Sequence, residues 1–352
     1  MRYPMVLCKL AMRRPVFAGL NVTERCNLAC TFCAVWRSPA VEMSLPEVRQ
    51  AIGGLRRLGI EVIGVTGGEP FLRKDLFDIL CAINDQGMQC TLVTNGTIMT
   101  PQILRRFRRV EGLLQVAVSI DSLRPDMFAQ LRGGADLALV LRTLDDLLQD
   151  GPRTAIKINV TLSRYNQSDV DPLLEYCQER QIHMSVFPAM YGRGFQHRGL
   201  GERPDPQPSE RLALRTTFLR LAALKRQGAL LWELPEFYEL AADFVSGVPI
   251  GPCDAGRLFL DVRSDGSIAP CLDQPAYAHL LDPSRVPANL EALRVLRAAV
   301  EPALRRCSRE TPCCYTCTYN LTTIASHLPG YVADFGRTLL NRTMRHGGRC
   351  RD

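Results

Sequence analysis

The stretch Asn21–Trp36 reads NVTERCNLACTFCAVW and directly follows a short apolar run that starts at Val16. It contains the spacing Cys26-x3-Cys30-x2-Cys33, and three thiols on one loop cannot pair as disulfides without leaving one over. Three thiolates this close form a soft ligand set for a metal centre, in which one metal position stays open to a ligand that is not protein. A structural zinc loop and buried free cysteines are the alternatives to that interpretation.

The composition indicates an ordinary globular protein. The 352 residues are 46% hydrophobic and 22% charged, enough for one large barrel with an appendage or for two domains. No run of about eighteen apolar residues is present, so no membrane span is expected. The chain has 14 cysteines and no export signal, which favours metal ligation over disulfides and a reducing, cytoplasmic compartment.

The chain is basic, with a formal net charge of +7. The run Arg105–Arg109 offers contact with nucleic acid, a membrane surface or an acidic substrate, but such a run is more often the solvated face of a helix. We favour the solvated helix. Residues 1–15 and the segment Arg337–Arg351 are both basic and partly apolar, which leaves room for a peripheral membrane contact.

From Val16 onward, short β-branched runs alternate with longer helical patterns, which is typical of βα units with a parallel sheet. The predicted strands are Phe17–Val22, Glu61–Thr66, Gln89–Thr94, Leu114–Ile120, Ala155–Thr161 and His183–Phe187. The predicted helices between them are Leu45–Leu58, Leu76–Asp85, Pro101–Arg109, Asp136–Gln149 and Ser168–Arg180. After an aperiodic loop, further helices are expected at Ser209–Gln227 and Pro235–Ser246.

A pair of glycines follows the second predicted strand, in Thr66-Gly67-Gly68-Glu69-Pro70. Two glycines allow the backbone to approach a ligand closely, and a carboxylate at a strand end can accept a hydrogen bond from an ammonium group. Small polar side chains lie at other strand ends, namely Ser119 and Asp121 after the fourth strand and Asn159 on the fifth. Turn and capping roles are the alternative for each of them.

The loop CNLACTFC resembles the CxxxCxΦC loop of the radical S-adenosylmethionine (SAM) superfamily, with Phe32 as the aromatic Φ. The glycine pair resembles the GGEP motif of the same family. The resemblance runs roughly from Val16 to Asn320. It implies an α/β fold: a partial (βα)6 TIM-like barrel, with chemistry at the carboxyl ends of its strands, and a small cysteine-rich C-terminal SPASM/twitch extension.

The resemblance also implies the cofactors. Cys26, Cys30 and Cys33 would hold a [4Fe–4S] cluster whose fourth iron binds the amino and carboxylate groups of SAM. One electron then splits SAM to a 5′-deoxyadenosyl radical, which abstracts hydrogen from the substrate. The residues considered for SAM are Gly67, Gly68 and Glu69 for the amino group, Ser119, Asp121 and Asn159 for the ribose or carboxylate, and Arg132 for the carboxylate. An arginine on the surface is the alternative for Arg132.

A second set of cysteines lies in the last third of the chain. Asp265-Gly266 between two β-prone runs predicts a hairpin turn that would bring Cys253 and Cys271 side by side. Cys314 and Cys317 could complete a four-thiolate site, which suits zinc as well as an iron–sulfur cluster. The full spacing is Cys253-x12-Gly266-x4-Cys271, followed by Cys307-x5-Cys313-Cys314-x2-Cys317.

This spacing resembles the SPASM/twitch extension, in which such cysteines bind an auxiliary [4Fe–4S] cluster. The fuller form has seven cysteines and two auxiliary clusters. Here Leu304 stands where one of those cysteines would be, and only Cys350 remains downstream. One auxiliary cluster is therefore expected rather than two. Its fourth ligand is either Cys314 or Cys313, since both spacings occur in the pattern, and Cys307 is left open as a further ligand.

Five segments are predicted. They are residues 1–15 as an N-terminal extension, 16–190 as the radical SAM partial barrel, 191–250 as a loop and helical bridge, 251–320 as the auxiliary cluster domain, and 321–352 as a C-terminal helix and basic tail.

The sequence therefore predicts an oxygen-sensitive radical SAM enzyme that abstracts hydrogen from a small-molecule substrate. The auxiliary cluster favours net oxidation or bond formation, and the electron would come from a donor such as flavodoxin or ferredoxin. A maturase of a ribosomally made peptide is the alternative, although residues 1–15 are too short for the recognition domain of about eighty residues that such enzymes often carry. A non-enzymatic zinc or nucleic-acid-binding protein is the alternative of another class.

Overall fold

The computed structural model describes residues 3–38, 41–152, 154–189, 207–272, 274–282, 287, 289–309 and 319–334. The strands are β1 Phe17–Thr23, β2 Val62–Gly67, β3 Gln89–Thr94, β4 Leu113–Ser119, β5 Ala155–Leu162, β6 His183–Pro188, β7 Phe259–Val262, β8 Ser267–Ala269 and β9 Ala278–His279. The helices are α1 Tyr3–Ala11, α2 Leu45–Arg57, α3 Leu76–Asp85, α4 Pro101–Phe107, α5 Pro125–Leu131, α6 Leu137–Asp150, α7 Val170–Arg180, α8 Pro208–Arg226, α9 Pro235–Val245, α10 Leu290–Arg309 and α11 Tyr319–Ser326.

The described strands form a nine-stranded sheet in the order β6-β5-β4-β3-β2-β1-β7-β8-β9. Strands β1 to β6 are parallel neighbours in chain order, joined by helical crossovers as predicted. The structure confirms the partial (βα)6 barrel. All six parallel strands end at the same edge of the sheet, and this edge carries the loops in which the sequence motifs lie.

The C-terminal hairpin continues the barrel sheet. Strand β7 pairs in parallel with β1, from Phe17 opposite Phe259 to Leu20 opposite Val262. Strands β7 and β8 then pair antiparallel around the predicted turn, in which Gly266 has a φ of +90°. The hairpin is confirmed, and its attachment to β1 was not predicted.

The two faces of the barrel sheet differ in polarity. Val116 and Val118 of β4 belong to the apolar core that packs beneath the helices. Alternation along the strand turns Gln115 and Ser119 toward the opposite, inner face. Neighbouring strands place polar residues such as Lys157 on the same face, where its Nζ lies 2.9 Å from the Ser185 hydroxyl. The barrel interior is therefore lined by polar as well as apolar groups.

Most predicted bounds agree with the structure to within two residues, and residues 3–11 form a short helix within the predicted N-terminal extension. Helix α5 was not predicted, because its seven residues begin with Pro125 and follow a run that looks like a turn. Cys307 lies within α10. Cys313, Cys314, Cys317 and Cys350 lie outside the described residues. Within the described ranges, none of the helices is long and apolar enough to cross a bilayer.

Candidate metal centre and cofactor site

The cysteine loop leaves the sheet at the carboxyl end of β1, where Thr23 pairs with Gly67 of β2. Cys30 is buried, and Cys26 and Cys33 are partly exposed. Each of the three thiols is close enough to the other two to interact electrostatically. The structure therefore brings the three predicted ligands together at the mouth of the barrel.

Burial dominates the chemistry of these thiols when no metal is bound. It raises the pKa of Cys26 and Cys30 and raises the pKa of Cys33 to about 11. A thiol with a raised pKa holds its proton at neutral pH, so binding of a metal centre here would release protons.

The glycine turn after β2 packs directly on the backbone that leads into the cysteine loop. The Gly68 amide donates to the Thr23 carbonyl at 2.8 Å, and the Glu69 amide donates to the Arg25 carbonyl at 2.9 Å. A Cβ atom added at Gly68 would lie 2.1 Å from the Arg25 carbonyl oxygen, and one added at Gly67 would lie 2.1 Å from that of Thr23. The two glycines are required because two backbones touch here.

The Glu69 carboxylate is fully buried and fixes two turns. Its Oε2 accepts from the Asn95 amide at 2.7 Å, and its Oε1 accepts from the Phe71 amide at 3.1 Å and the Thr94 hydroxyl at 2.9 Å. Burial raises its pKa to about 7, although the three hydrogen bonds act in the opposite direction. The carboxylate joins the glycine turn to the turn that follows β3.

Replacing Glu69 by glutamine should lower the free energy of unfolding by about 1–3 kcal/mol. The amide group of glutamine has one oxygen, so its NH2 must face at least one of the backbone donors that Glu69 now satisfies. Denaturant unfolding of E69Q beside the wild type measures the difference. The matched control E179Q, at a side chain that is 75% exposed, should change the free energy of unfolding by less than about 0.5 kcal/mol. Equal stability of E69Q and the wild type would contradict the bonding described here.

The turn after β3 also contacts the cysteine loop. Asn95 Nδ2 donates to Asn27 Oδ1 at 2.9 Å and lies 4.0 Å from Cys26 Sγ. The Asn95 Oδ1 in turn accepts from the Thr97 amide and hydroxyl, and Asn27 Nδ2 donates to the Thr97 hydroxyl at 2.8 Å. These side chains hold the first cysteine of the loop against the end of β3.

A third contact comes from the end of α5. The Leu131 carbonyl accepts from the Thr31 amide at 2.9 Å, in the middle of the cysteine loop. Gly133 follows with a φ of +63°, and a Cβ atom there would lie 2.6 Å from the Ala29 carbonyl oxygen. The unpredicted helix thus clamps the segment between Cys26 and Cys33.

Two predicted SAM contacts, Asp121 and Arg132, bond to each other in the structure. Arg132 Nε lies 2.5 Å from Asp121 Oδ2, and both side chains are buried. The other carboxylate oxygen of Asp121 accepts from the Thr161 amide at 2.7 Å. The guanidinium also interacts electrostatically with the Cys30 thiol and lies 5.1 Å from the centre of the Phe32 ring. This buried ion pair therefore packs beside the cysteine loop.

Ser119 and Asn159 are register partners on β4 and β5, on the inner face of the sheet. The Oδ1 atom of Asn159 is buried and has no hydrogen-bond partner in the structure. A buried acceptor without a partner is costly, and it is expected where a bound molecule supplies the missing donor. The cofactor contact of Asn159 stays a prediction, and its buried Oδ1 without a partner is the observation that supports it.

The C-terminal hairpin reaches the same edge of the sheet. The Ser264 hydroxyl lies 3.2 Å from Glu24 Oε1, and the Ser264 carbonyl accepts from the Met43 amide at 2.8 Å. Burial raises the pKa of Glu24, which precedes the cysteine loop by two residues. The hairpin turn therefore buttresses the entrance of the cysteine loop.

Cys253 and Cys271 are partly buried and pack against the same small apolar cluster. Cys253 interacts electrostatically with Arg297, and Cys271 interacts with the Tyr277 hydroxyl. Arg297 and Tyr277 also meet around Gly256, where a Cβ atom would lie 3.2 Å from Arg297 Cγ and 3.6 Å from the Tyr277 hydroxyl oxygen. These contacts place the two cysteines in one neighbourhood at the base of the hairpin.

The residues at the barrel mouth fit a [4Fe–4S] cluster with SAM. Among the described residues, no three Cys, His, Asp or Glu side chains meet closely enough to bind a single metal ion. The three thiols of one loop are the kind of donor set that an iron–sulfur cluster binds, each through a different iron. The glycine turn is packed on the backbone that leads into this loop, and Asn159 offers a buried acceptor without a partner.

Sequence reasoning missed several residues that shape this site. Asn27 and Thr97 carry no motif of their own, and their pairing depends on two loops meeting in space. Ser264 belongs to the hairpin, which the sequence placed in another domain. The contact between the end of α5 and the cysteine loop could have been inferred from the sequence, because the glycine pair Gly133-Gly134 directly follows Arg132 and indicates a turn or a close backbone approach.

Comparison with known proteins gives a consistent picture. Residues 20–177 match the Radical SAM superfamily. The Fe-coproporphyrin III synthase of Methanosarcina barkeri is 31% identical over 180 residues, 50% of this chain and 44% of that protein. The GTP 3′,8-cyclase of Paenarthrobacter nicotinovorans is 32% identical over 187 residues, 51% and 52% of the two chains. The GTP 3′,8-cyclase of Alkaliphilus oremlandii is 26% identical over 286 residues, which are 78% of this chain and 87% of that protein. The match thus spans about half the length of the first two relatives.

Solved structures share the fold. Streptococcus suis SuiB bound to S-adenosylmethionine superimposes with a TM-score of 0.61 at 16% identity, over 85% of this chain and 68% of that one. Native anSMEcpe with bound AdoMet gives a TM-score of 0.59 at 17% identity, over 79% and 80%. At such identities the similarity concerns the fold alone.

Proposed function

We propose that this chain, which belongs to the radical SAM superfamily, cleaves SAM reductively at a [4Fe–4S] cluster and abstracts hydrogen from a small-molecule substrate. The observation that carries the proposal is the clamping of one three-cysteine loop by three separate turns. The turns after β2, after β3 and after α5 each contact a different part of that loop. Such rigid placement is what a site needs to hold a reactive cofactor within a fraction of an ångström.

The cofactors would supply the difficult chemistry, since the cluster provides one electron and SAM provides the 5′-deoxyadenosyl radical. The chain's own residues would hold and orient these two cofactors. In our proposal Cys26, Cys30 and Cys33 bind three irons, and the SAM amino group lies along the backbone of Gly67–Glu69. The Glu69 carboxylate keeps that backbone in place through its three hydrogen bonds.

The ribose or carboxylate of SAM would contact Ser119 and Asn159. Ser119 lies opposite Asn159 in the pairing of β4 with β5, so the two side chains present a donor and an unfilled acceptor side by side. Such a pair matches a hydroxyl group, which can donate to one partner and accept from the other. Asp121 and Arg132 would support the cluster side of the site.

A small molecule is the substrate class that we favour. The sequence relatives are named for GTP and Fe-coproporphyrin III, and neither of these compounds is a peptide. The inner face of the barrel carries polar groups suited to such a ligand, including Gln115 and the hydrogen-bonded Lys157 and Ser185. The second candidate is a peptide, because SuiB and anSMEcpe, which share the fold, have been solved with bound peptides.

We further propose that Cys253 and Cys271 bind one auxiliary [4Fe–4S] cluster together with Cys314 and Cys317. The shared neighbourhood of the first two cysteines supports this assignment. An auxiliary cluster near the substrate can accept the electron that hydrogen abstraction leaves there. Net oxidation or bond formation is therefore the expected outcome. The first electron would come from a flavodoxin or ferredoxin.

The protein purified without oxygen should contain about eight iron and eight sulfide ions per chain, or about four of each with a single cluster. Under dithionite it should convert SAM to 5′-deoxyadenosine without any added substrate. Iron and sulfide analysis and chromatography of the reaction products measure both quantities. Protein that holds zinc without iron, or iron-loaded protein that leaves SAM intact, would refute the proposed function.

A further inference from the structure

Arg132 is an unusual element of the site, because its charge is buried next to the cysteine loop. Its side chain is 8% exposed, and that of Asp121 is completely buried. The guanidinium is held on one side by the Asp121 carboxylate at 2.5 Å. On the other side it faces the loop, where it interacts electrostatically with the Cys30 sulfur and lies 5.1 Å from the centre of the Phe32 ring. A buried guanidinium with these partners is fixed in orientation.

The backbone around Arg132 keeps the charge at a constant distance from the loop. Leu131 bonds Thr31 through the backbone, and Gly133 packs against Ala29 with no room for a Cβ atom. Asp121 is held in turn, since its second carboxylate oxygen accepts from the Thr161 amide. The order in space is therefore loop, cation, anion.

We infer that Arg132 and Asp121 are positioning residues that set the reduction potential of the cluster bound by the cysteine loop, with the nearer cation raising the potential and the anion behind it limiting the increase. This inference rests on the proposed function, because it requires a cluster at that loop.

The sign follows from electrostatics. Reduction adds one electron, here from dithionite, and turns the oxidised cluster into a form with one more negative charge, with no bond made or broken. A nearby positive charge stabilises the reduced form, and a nearby negative charge destabilises it. Both charges are buried, so water and salt screen them little. Arg132 has the larger electrostatic effect on the Cys30 sulfur of the two residues, in agreement with that order.

Removing each charge separately should shift the potential in opposite directions. In R132Q the cation is lost and Asp121 remains, so the potential should fall. In D121N the cation remains without its anion, so the potential should rise. We expect each shift to change the ratio of reduced to oxidised cluster at a fixed solution potential about tenfold, equivalent to about 59 mV for a one-electron couple.

The experiment is a dithionite titration with redox mediators, followed by electron paramagnetic resonance. Only the cluster with an open iron changes its signal when SAM is added, so this response separates it from an auxiliary cluster. The double variant R132Q/D121N removes both charges and leaves no unpaired charge in the interior. Its potential should lie below that of the wild type, because the cation is the nearer charge.

The matched control is R124Q. Arg124 forms a similar pair with Asp169 at 2.9 Å, but the Arg124 side chain is 49% exposed. Its replacement should therefore leave the reduction potential of the cluster unchanged. If R132Q fails to load iron, the directions of D121N and of the double variant still decide the question. Shifts of the same sign in R132Q and D121N, or no shift in any variant that holds a cluster, would overturn the inference. SAM cleavage by the wild type would still support the proposed function in that case. A wild type without a cluster would overturn both.

Discussion

Replacement of Cys30 by alanine is expected to abolish formation of 5′-deoxyadenosine. Cys30 is the most buried of the three thiols and is central to the loop, since it interacts electrostatically with both of the others. With two thiolates left, the proposed cluster loses one iron ligand at the end of the site that Arg132 contacts. Mutation of a residue that only hydrogen-bonds a metal ligand typically lowers metal affinity or activity about 10–100-fold. The loss of a ligand itself should therefore lower SAM cleavage by more than about a hundredfold. The measurement is 5′-deoxyadenosine released per chain under dithionite, together with iron content.

The control for this variant is C177A. Cys177 on α7 is also a buried thiol, at 0% exposure, but it packs in the apolar core away from the loop. Both variants remove one buried sulfur, so both lose packing. Only C30A should lose iron and SAM cleavage. If C30A and C177A retain the same iron content and the same rate, the cysteine loop is not the metal centre.

Replacement of Gly68 by alanine should have the second largest effect. The new Cβ atom would lie 2.1 Å from the Arg25 carbonyl oxygen and 2.5 Å from its carbon. Both are backbone atoms, so no side chain can rotate to make room. The turn must move away from the cysteine loop, which should break the 2.8 Å and 2.9 Å bonds from the Gly68 and Glu69 amides.

We expect G68A to lose about 3 kcal/mol of unfolding free energy, because overpacking a tight contact usually costs 1–3 kcal/mol. The rate of SAM cleavage should fall about a hundredfold, since a displacement near 1 Å is enough for such a loss. Denaturant unfolding and the 5′-deoxyadenosine assay at saturating SAM measure the two effects.

The matched glycine is Gly53 in the middle of α2, where a Cβ atom meets only Arg57 Nη1 at 3.7 Å. G53A should be neutral or stabilise the helix by up to about 1 kcal/mol, with an unchanged rate. G68A with wild-type stability and rate would show that the glycine turn and the cysteine loop are not packed as described.

The strands and helices of the barrel were predictable from local patterns. Runs such as Gln89–Thr94 and Leu76–Asp85 have the bounds that the sequence predicted, because their apolar spacing matches the period of one structure only. The ligand loop was equally local, since Cys26, Cys30 and Cys33 lie within eight residues. Seven residues of α5 were too few to give such a signal.

Long-range partners were not predictable in this way. The SAM contacts of Asp121, Arg132 and Glu69 stay predictions, and the sequence contained no sign of the protein partners of these side chains. Asp121 and Arg132 bond to each other. The Glu69 carboxylate accepts hydrogen bonds from three donors in two turns. A motif states which residue types are needed. It does not state which neighbour each of them meets.

The amino-acid sequence by itself determined the order of βα units, the hairpin turn at Asp265-Gly266 and the presence of three thiols on one loop, because each depends on residues that are close along the chain. Only the tertiary structure decided that β7 extends the sheet beside β1, that α5 clamps the cysteine loop, and that a buried ion pair lies behind Cys30. These features join segments separated by many residues, and their free energy comes from backbone contact and burial that exist only after the chain has folded.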